Sequence, residues 1–333
     1  MKLLIVKTSS MGDVIHTFQA IEDIRRHRPD VTIDWCVEES FADIVALHPA
    51  IRKRHTVAIR RWRKTLFTST TWREVRNLRR ALRDEAYDLV IDAQGLLKSA
   101  FVARLAGAPV AGFDRNSIRE PVASTFYAKR FAVSRVMHAI ERTRRLIGQA
   151  LGYEPDFARL ETGLGTPPLP SGVALPDRIA FLLHGTSRAD KKWPVADWIG
   201  TARLLVERGL TPVTTWSNPD EQAVAEAIGK AVSQTIVIPK SRLGAIAAVI
   251  AHSALVIGAD TGLTHLAAAF GLPTVAVFLT TQPGLTGPKG AFASTVLATS
   301  GKPVTPETVM LEADRLSAGK TINGAPSSGL SRG

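Results

Sequence analysis

Residues 256–278, VIGADTGLTHLAAAFGLPTVAVF, constrain the fold more than any other part of the chain. A short apolar run, Ala254 to Ile257, stops at Gly258. Polar Asp260, Thr261, Thr264 and His265 follow, then small residues, then a second apolar run from Thr274. This pattern reads as strand, polar turn, helix, strand: one unit of a parallel α/β sheet, with its turn at the carboxyl end of the strand. Backbone N–H groups of Thr261 and Gly262 fall at the helix start, where unpaired donors and the helix dipole favour an anion. Asp260 and Thr261 serve equally well as plain helix caps. His265 weighs toward the anion, because at i+4 from Thr261 it lies on the same face, where packing alone favours an aliphatic residue.

The same alternation runs through the whole chain. Strands are expected at Lys2–Val6, Thr32–Val37, Leu89–Asp92 and Val110–Phe113, with helices over about Val14–Arg28, near Glu39–Leu47, in the basic stretch after Arg52 and over Leu96–Ala106. Residues 161–176, ETGLGTPPLPSGVALP, have a linker composition. A second series follows: strands Ile179–Leu183, Thr211–Thr215 and Thr235–Ile238, and helices Pro194–Arg208, Glu221–Val232 and Arg242–Ala251. The 333 residues suit two domains, expected at 1–165 and 166–320, with a disordered tail over 321–333. Two Rossmann-like, doubly wound α/β domains in tandem imply ligands at the carboxyl ends of both sheets and a cleft between the domains.

No apolar stretch approaches the roughly 18 residues that span a bilayer, and the N-terminal LLIV is too short for a signal peptide. The single cysteine, Cys36, excludes an internal disulfide and fits a reducing, cytoplasmic setting. The formal charge of +12 is uneven: residues 1–165 hold 28 basic and 19 acidic side chains, and the stretch from Arg52 to Arg83 holds twelve Lys or Arg against Glu74 alone. Such a patch implies a polyanionic partner: nucleic acid, an anionic membrane surface or a phosphorylated substrate. Arg73, Arg76, Arg79, Arg80 and Arg83 recur at helical spacing and read mostly as a solvated helix face.

Three constellations can carry chemistry. Lys7-Thr-Ser-Ser-Met-Gly-Asp13 follows the first strand; Asp13 is either a helix cap or, as the carboxylate of that turn, a general base. The turn has neither a dinucleotide-binding G-x-G-x-x-G nor a P-loop signature, which disfavours NAD. In the turn His184–Lys192, the hydroxyls of Thr186 and Ser187 and the cations Lys191 and Lys192 suit a diphosphate. Arg60, Arg61, Arg63 and Lys64 surround Trp62 and fit either a nucleic-acid patch or a clamp for an anionic acceptor.

At these blocks, IVKTSSMGD, AIRRWRK, DAQGL, HGTSRADKKWP and DTGLTHLAAA, the chain resembles the type I branch of the bacterial lipopolysaccharide heptosyltransferases, glycosyltransferase family 9. The resemblance covers about residues 1–315, with the blocks in family order. It implies the two-domain GT-B architecture and metal-free, inverting transfer of L-glycero-D-manno-heptose from ADP-heptose to the Kdo of Kdo2–lipid A, with no cofactor and no nucleic-acid partner. By the same resemblance, Asp13 is the general base. Thr186, Ser187, Lys191, Thr261, Gly262 and His265 match the diphosphate site, Asp260 the heptose hydroxyls and Glu221 the adenosine ribose. Arg60, Arg61, Arg63, Lys64 and Arg119 match acceptor-binding positions. Two residues depart from the family pattern: Ser241 replaces a methionine near the adenine, and Lys192 replaces a histidine. An acceptor anchored in lipid implies work at the inner face of the inner membrane. A type II enzyme, adding the second heptose, and a basic nucleotide- or RNA-binding module remain the alternatives; the latter lacks aromatic stacking positions beyond Trp62.

Overall fold

The computed structural model describes residues 1–186, 188–280, 283–299 and 302–323. The chain divides into two compact units, Met1–Pro167 with Gly284–Thr286, and the remainder of the described chain from Pro168. No described helix is long and apolar enough to cross a membrane.

The first unit contains β1 (Lys2–Val6), α1 (Met11–His16), α2 (Phe18–His27), β2 (Thr32–Glu38), α3 (Ala42–Val45), β3 (Ile51–Val57), α4 (Ile59–Trp62), α5 (Ser69–Asp84), β4 (Leu89–Asp92), α6 (Leu97–Leu105), β5 (Val110–Phe113), β6 (Lys129–Phe131) and α7 (Ala139–Leu151). Its strands form one parallel sheet in the order β3-β2-β1-β4-β5-β6. On the central strand, Leu3, Leu4, Ile5 and Val6 are all fully buried. A continuous apolar run is what a parallel strand covered on both faces requires.

The second unit contains β7 (Ile179–Leu183), α8 (Val195–Glu207), β8 (Thr211–Thr215), α9 (Pro219–Ala231), β9 (Ile236–Ile238), α10 (Leu243–Ala251), β10 (Leu255–Ala259), α11 (Gly262–Ala269), β11 (Thr274–Phe278), β12 (Ala293–Leu297) and α12 (Pro306–Asn323). Its parallel sheet runs β12-β11-β10-β7-β8-β9, the same winding as in the first unit. In each unit the strand order reverses beside the first strand, at β1/β4 and at β7/β10, and ligands of doubly wound sheets bind at the carboxyl ends of those strands. The core of the second unit packs Trp193 and Trp198 against Val309, Met310 and Ala313 of α12.

Several elements differ from the sequence reading. The first helix is two, because the Thr17 hydroxyl bonds back to the Asp13 carbonyl at 2.9 Å and its N–H takes Val14 at i−3, a pattern that bends helices. The Glu39–Leu47 stretch is a short 3₁₀ turn followed by α3. The basic run after Arg52 begins as strand β3, at the sheet edge. Charged residues guard edge strands against further pairing, so Arg52, Lys53 and Arg54 mask its alternation. Strands β6 and β12 and helices α7 and α12 lay outside the expected elements. Of the tail expected to be disordered, Thr321–Asn323 belong to α12, and 324–333 lie outside the described residues.

Helix α7 is anchored through a buried charge. The Arg144 guanidinium donates to both carboxylate oxygens of Asp23, at 2.7 and 2.9 Å, and to the carbonyls of Asp156 and Arg159. Both side chains are 1% exposed, so one fork of donors ties α7 and the chain after it to α2.

Candidate functional site

In the second unit the sheet brings two turns together. The turn after β10 begins with Asp260, and Thr261 caps α11 in an extended conformation without a side-chain cap bond. Thr261 thus holds the cap position expected from the sequence, through its backbone and not its hydroxyl. The amides of Thr261, Gly262 and Leu263 have no acceptor among the described residues, as is usual for the first turn of a helix, where such donors can hold an anion. Thr264 instead turns inward, its hydroxyl donating to the Ala259 carbonyl at 2.7 Å. Gly258 makes room for it, since a Cβ there would stand 2.1 Å from the Thr264 oxygen. His265 is buried on the same first turn, its N–H directed to the Thr261 carbonyl at 3.4 Å.

The turn after β7 supplies the cations. The Lys191 ammonium pairs with the Asp260 carboxylate, and both side chains are largely buried. Adjacent to this pair a cavity of about 490 Å³ is lined by Gly185, Thr186, Arg188, Lys192, Glu221 and Thr261, among others. The Thr186 hydroxyl oxygen is buried without a protein partner among the described residues. Ser187 lies outside them. Glu221, on the first turn of α9, accepts from the Ser217 amide and hydroxyl at 2.8 and 2.7 Å, while its own N–H is capped by Asn218. Gly185 lets Glu221 approach: a Cβ would meet its carboxyl at 2.9 Å. A smaller cavity of about 230 Å³ shares Gly185, Thr186 and Glu221 and is floored by Trp193 and Trp198. At its wall His184 is buried with Nε2 unpartnered among the described residues; burial holds its pKa below the ordinary histidine value, partly opposed by Glu221.

Thr186, Lys191, Glu221, Asp260, Thr261, Gly262 and His265 thus gather at the carboxyl ends of β7, β8 and β10. Ser241 does not join the walls of either cavity: it is exposed beyond edge strand β9, with its hydroxyl on the Pro239 carbonyl at 2.8 Å.

In the first unit Asp13 stands at the third position of α1, where its carboxylate forms a capping box with the cap residue Ser10, so the helix-capping role read from the sequence is present. Its carboxylate accepts from the Ser10 amide and hydroxyl at 2.9 and 2.8 Å, and lies 3.7 Å from the Lys7 ammonium. Lys7 is buried and donates to the Ala93 carbonyl at 2.9 Å. The loop that carries Asp13 is held by the turn after β4: the Gln94 side-chain oxygen accepts from the amides of Thr8 and Ser9, both at 3.1 Å. Gln94 is fixed in turn by Asp92, whose buried carboxylate accepts from the Gln94 and Gly95 amides, the Ser99 hydroxyl and the Tyr127 phenol. Burial pushes the Asp92 pKa up, and those four donors oppose the shift. Sequence reading assigned no role to Lys7, Asp92 or Gln94. The signal available was the polar run Asp92–Gly95 at a strand end beside β1.

The acceptor candidates follow β3 and β5 at the same end of the sheet. Arg60 lies over the Phe41 ring, 5.4 Å from its centroid. Arg61 is held by Glu39 at 3.2 Å and Glu74 at 2.9 Å, and Trp62 donates to Glu74 at 2.6 Å. Arg63, Lys64 and Arg119 are exposed.

The family model described as glycosyltransferase family 9 (heptosyltransferase) matches residues 75–312. The lipopolysaccharide heptosyltransferase 1 of Pseudomonas aeruginosa is 44% identical over 291 residues, covering 87% of this chain and 82% of that protein. This chain belongs to glycosyltransferase family 9. The Escherichia coli K12 lipopolysaccharide heptosyltransferase 1 is 41% identical over 296 residues, covering 87% of this chain and 91% of that one. The solved structure of E. coli heptosyltransferase WaaC with ADP matches with a TM-score of 0.89 at 37% identity, covering 95% of this chain and 100% of that one. Membership makes the chain a glycosyltransferase, and its two Rossmann-type units are those of the GT-B architecture.

Proposed function

We propose that this family 9 enzyme transfers L-glycero-D-manno-heptose from ADP-heptose to the Kdo of Kdo2–lipid A, placing the first heptose of the lipopolysaccharide inner core at the inner face of the inner membrane. The observation that carries the reading is the anion cradle of the second unit, where Lys191, the buried Thr186 hydroxyl and the unpaired amides of α11 converge beside Glu221. Four relatives named as type I enzymes are 41–44% identical and a fifth, from Campylobacter coli, is 27% identical, whereas a Haemophilus influenzae lipooligosaccharide heptosyltransferase 2 is 23% identical. That contrast favours the first heptose over the second, and family membership favours a glycosyltransferase over an RNA-binding module.

In this reading Asp13 takes the proton from a Kdo hydroxyl, and the freed oxygen attacks the anomeric carbon of the heptose. The bond from that carbon to the diphosphate breaks with inversion, and its electron pair leaves with ADP. Negative charge growing on the diphosphate is offset by Lys191, His265, the hydroxyls of Thr186 and Ser187, and the amides of Thr261 and Gly262. Asp260 orients the heptose hydroxyls and Glu221 the ribose. Arg60, Arg63, Lys64 and Arg119 meet the acceptor's phosphates and carboxylates. Arg61, already shared between two glutamates, contributes less.

Incubation with ADP-heptose and Kdo2–lipid A tests the assignment: ADP should be released, and one heptose added, only when both are present. Transfer only to an acceptor that already carries one heptose would assign the type II reaction instead. Asp13→Asn should slow turnover ~10²–10⁴-fold with ADP affinity unchanged. Turnover near the parent's would remove Asp13 from the base role.

A further inference from the structure

One surface of the first unit is unused by the proposed chemistry. Between α4 and α5 the chain exposes Phe67 completely and Leu66 to 49%, and the first turn of α5 exposes Trp72 to 54%. Isolated exposed apolar side chains are ordinary, but three large ones close together in one loop and the helix start after it mark a contact surface. Their surroundings are cationic. Arg73, Arg76, Arg79 and Arg80 are exposed, their side chains without an ion-pair or hydrogen-bond partner among the described residues, and Arg63 and Lys64, assigned above to the acceptor, adjoin them. On α5, Trp72, Arg76, Arg79 and Arg83 fall at intervals of four, three and four, and so form one stripe, while Leu78 and Leu82 occupy the buried face.

The loop also satisfies part of its polar backbone from within: the Thr65 amide donates to Trp62, the Thr68 amide to Thr65, and the Thr71 amide to the Thr68 hydroxyl at 3.3 Å. The hydroxyls of Thr65 and Thr71 bond to each other at 2.8 Å. Thr71 is buried and Thr65 half-buried while Leu66 and Phe67 face out, so this hydroxyl pair stays bonded if the tip leaves water.

We propose that Leu66, Phe67 and Trp72 insert into the headgroup boundary of an anionic lipid bilayer, with the arginine stripe of α5 lying along its surface. Apolar anchors combined with cations are the requirement for stable interfacial binding, since neither alone suffices. An aliphatic and an aromatic side chain at a loop tip suit acyl chains better than nucleobases, which need flat stacking platforms. This surface deepens the reading above, whose acceptor is a lipid, and rests on it for its purpose.

The full chain should be floated with vesicles of phosphatidylglycerol in phosphatidylcholine, with no acceptor present. It should bind these and not pure phosphatidylcholine vesicles, and added salt should release it. The L66S/F67S/W72S variant should lose most of the binding, and R76Q/R79Q should lower the partition coefficient about fivefold per charge removed. Both variants should unfold at the parent's temperature and transfer heptose to a deacylated, water-soluble acceptor at the parent's rate. Equal binding to neutral vesicles, or undiminished binding by the triple variant, would overturn the proposal. So would loss of single-stranded RNA binding in these variants with vesicle binding intact. Failure of transfer to the soluble acceptor by the parent would instead count against the proposed reaction, whatever the vesicles show.

Discussion

Removing the Lys191 ammonium should do more harm than the loss of one contact, and the excess should be recoverable. Lys191 and Asp260 form an ion pair with side chains only 16% and 14% exposed. In Lys191→Ala the Asp260 carboxylate stays beside the amides of α11 with its cation gone. A charged hydrogen bond to the diphosphate is worth about 1.5–3 kcal/mol, a loss of roughly 10- to 150-fold in ADP affinity. Repulsion between the carboxylate, with its Lys191 counter-charge removed, and the diphosphate adds to that. Asp260→Asn removes the repulsion, so in the Lys191→Ala background it should strengthen ADP binding, whereas in the parent it should leave binding unchanged or weaken it. Coupling between residues in direct contact runs at about 0.5–3 kcal/mol; here at least fivefold in Kd is expected. Titration calorimetry with ADP on the parent, both single variants and the double variant gives the cycle directly. Strictly additive effects, or a double variant weaker than Lys191→Ala, would refute the electrostatic account of this site.

Gln94→Ala should lower turnover with ADP affinity unchanged, because the amides of Thr8 and Ser9 lose the side chain that holds the Asp13 loop; Gln94→Glu, which keeps the acceptor oxygen, should recover part of it, and a normal rate for the alanine variant would show that the loop needs no brace. Arg144→Ala should cost about 3–5 kcal/mol by leaving the buried Asp23 with only Arg26, 3.6 Å away, as a counter-charge among the described residues, seen as a lower urea midpoint; the Asp23→Leu/Arg144→Met pair should regain most of it, and two equally damaging variants would argue against the charge-burial explanation. His48 is buried against Glu22 at 3.2 Å, and burial pushes its pKa down to about 4 from the usual 6.5. Below pH 6.5 the unfolded chain therefore takes up the proton first, and the contribution of neutral His48 is lost as pH falls toward 4. Thermal unfolding of His48→Gln between pH 7 and pH 4.5 should show a shallower decline than the parent, and parallel curves would exclude this histidine.

The doubly wound arrangement was legible in residues such as Leu3–Val6 and Leu255–Gly258, because a strand covered on both faces must be apolar throughout, and one that ends in a polar turn marks where ligands bind. The grouping of Asp260, Thr261 and His265 was legible for the same reason: they are fixed by spacing along one strand and one helix. What the linear order cannot carry is contact across the sheet. Strand β3 hid behind Arg52 and Lys53, because an edge strand is stabilised by its neighbour and not by its own alternation. Arg144 looked like one more exposed cation until α2 and α7 packed and set Asp23 opposite it. The brace on Asp13 depends on β4 lying next to β1, which joins Gln94 to Thr8 across 86 positions of chain. Spacing determines which side chains share a face of one element. Which distant carboxylate, amide or cation they meet is settled only when the sheet is wound.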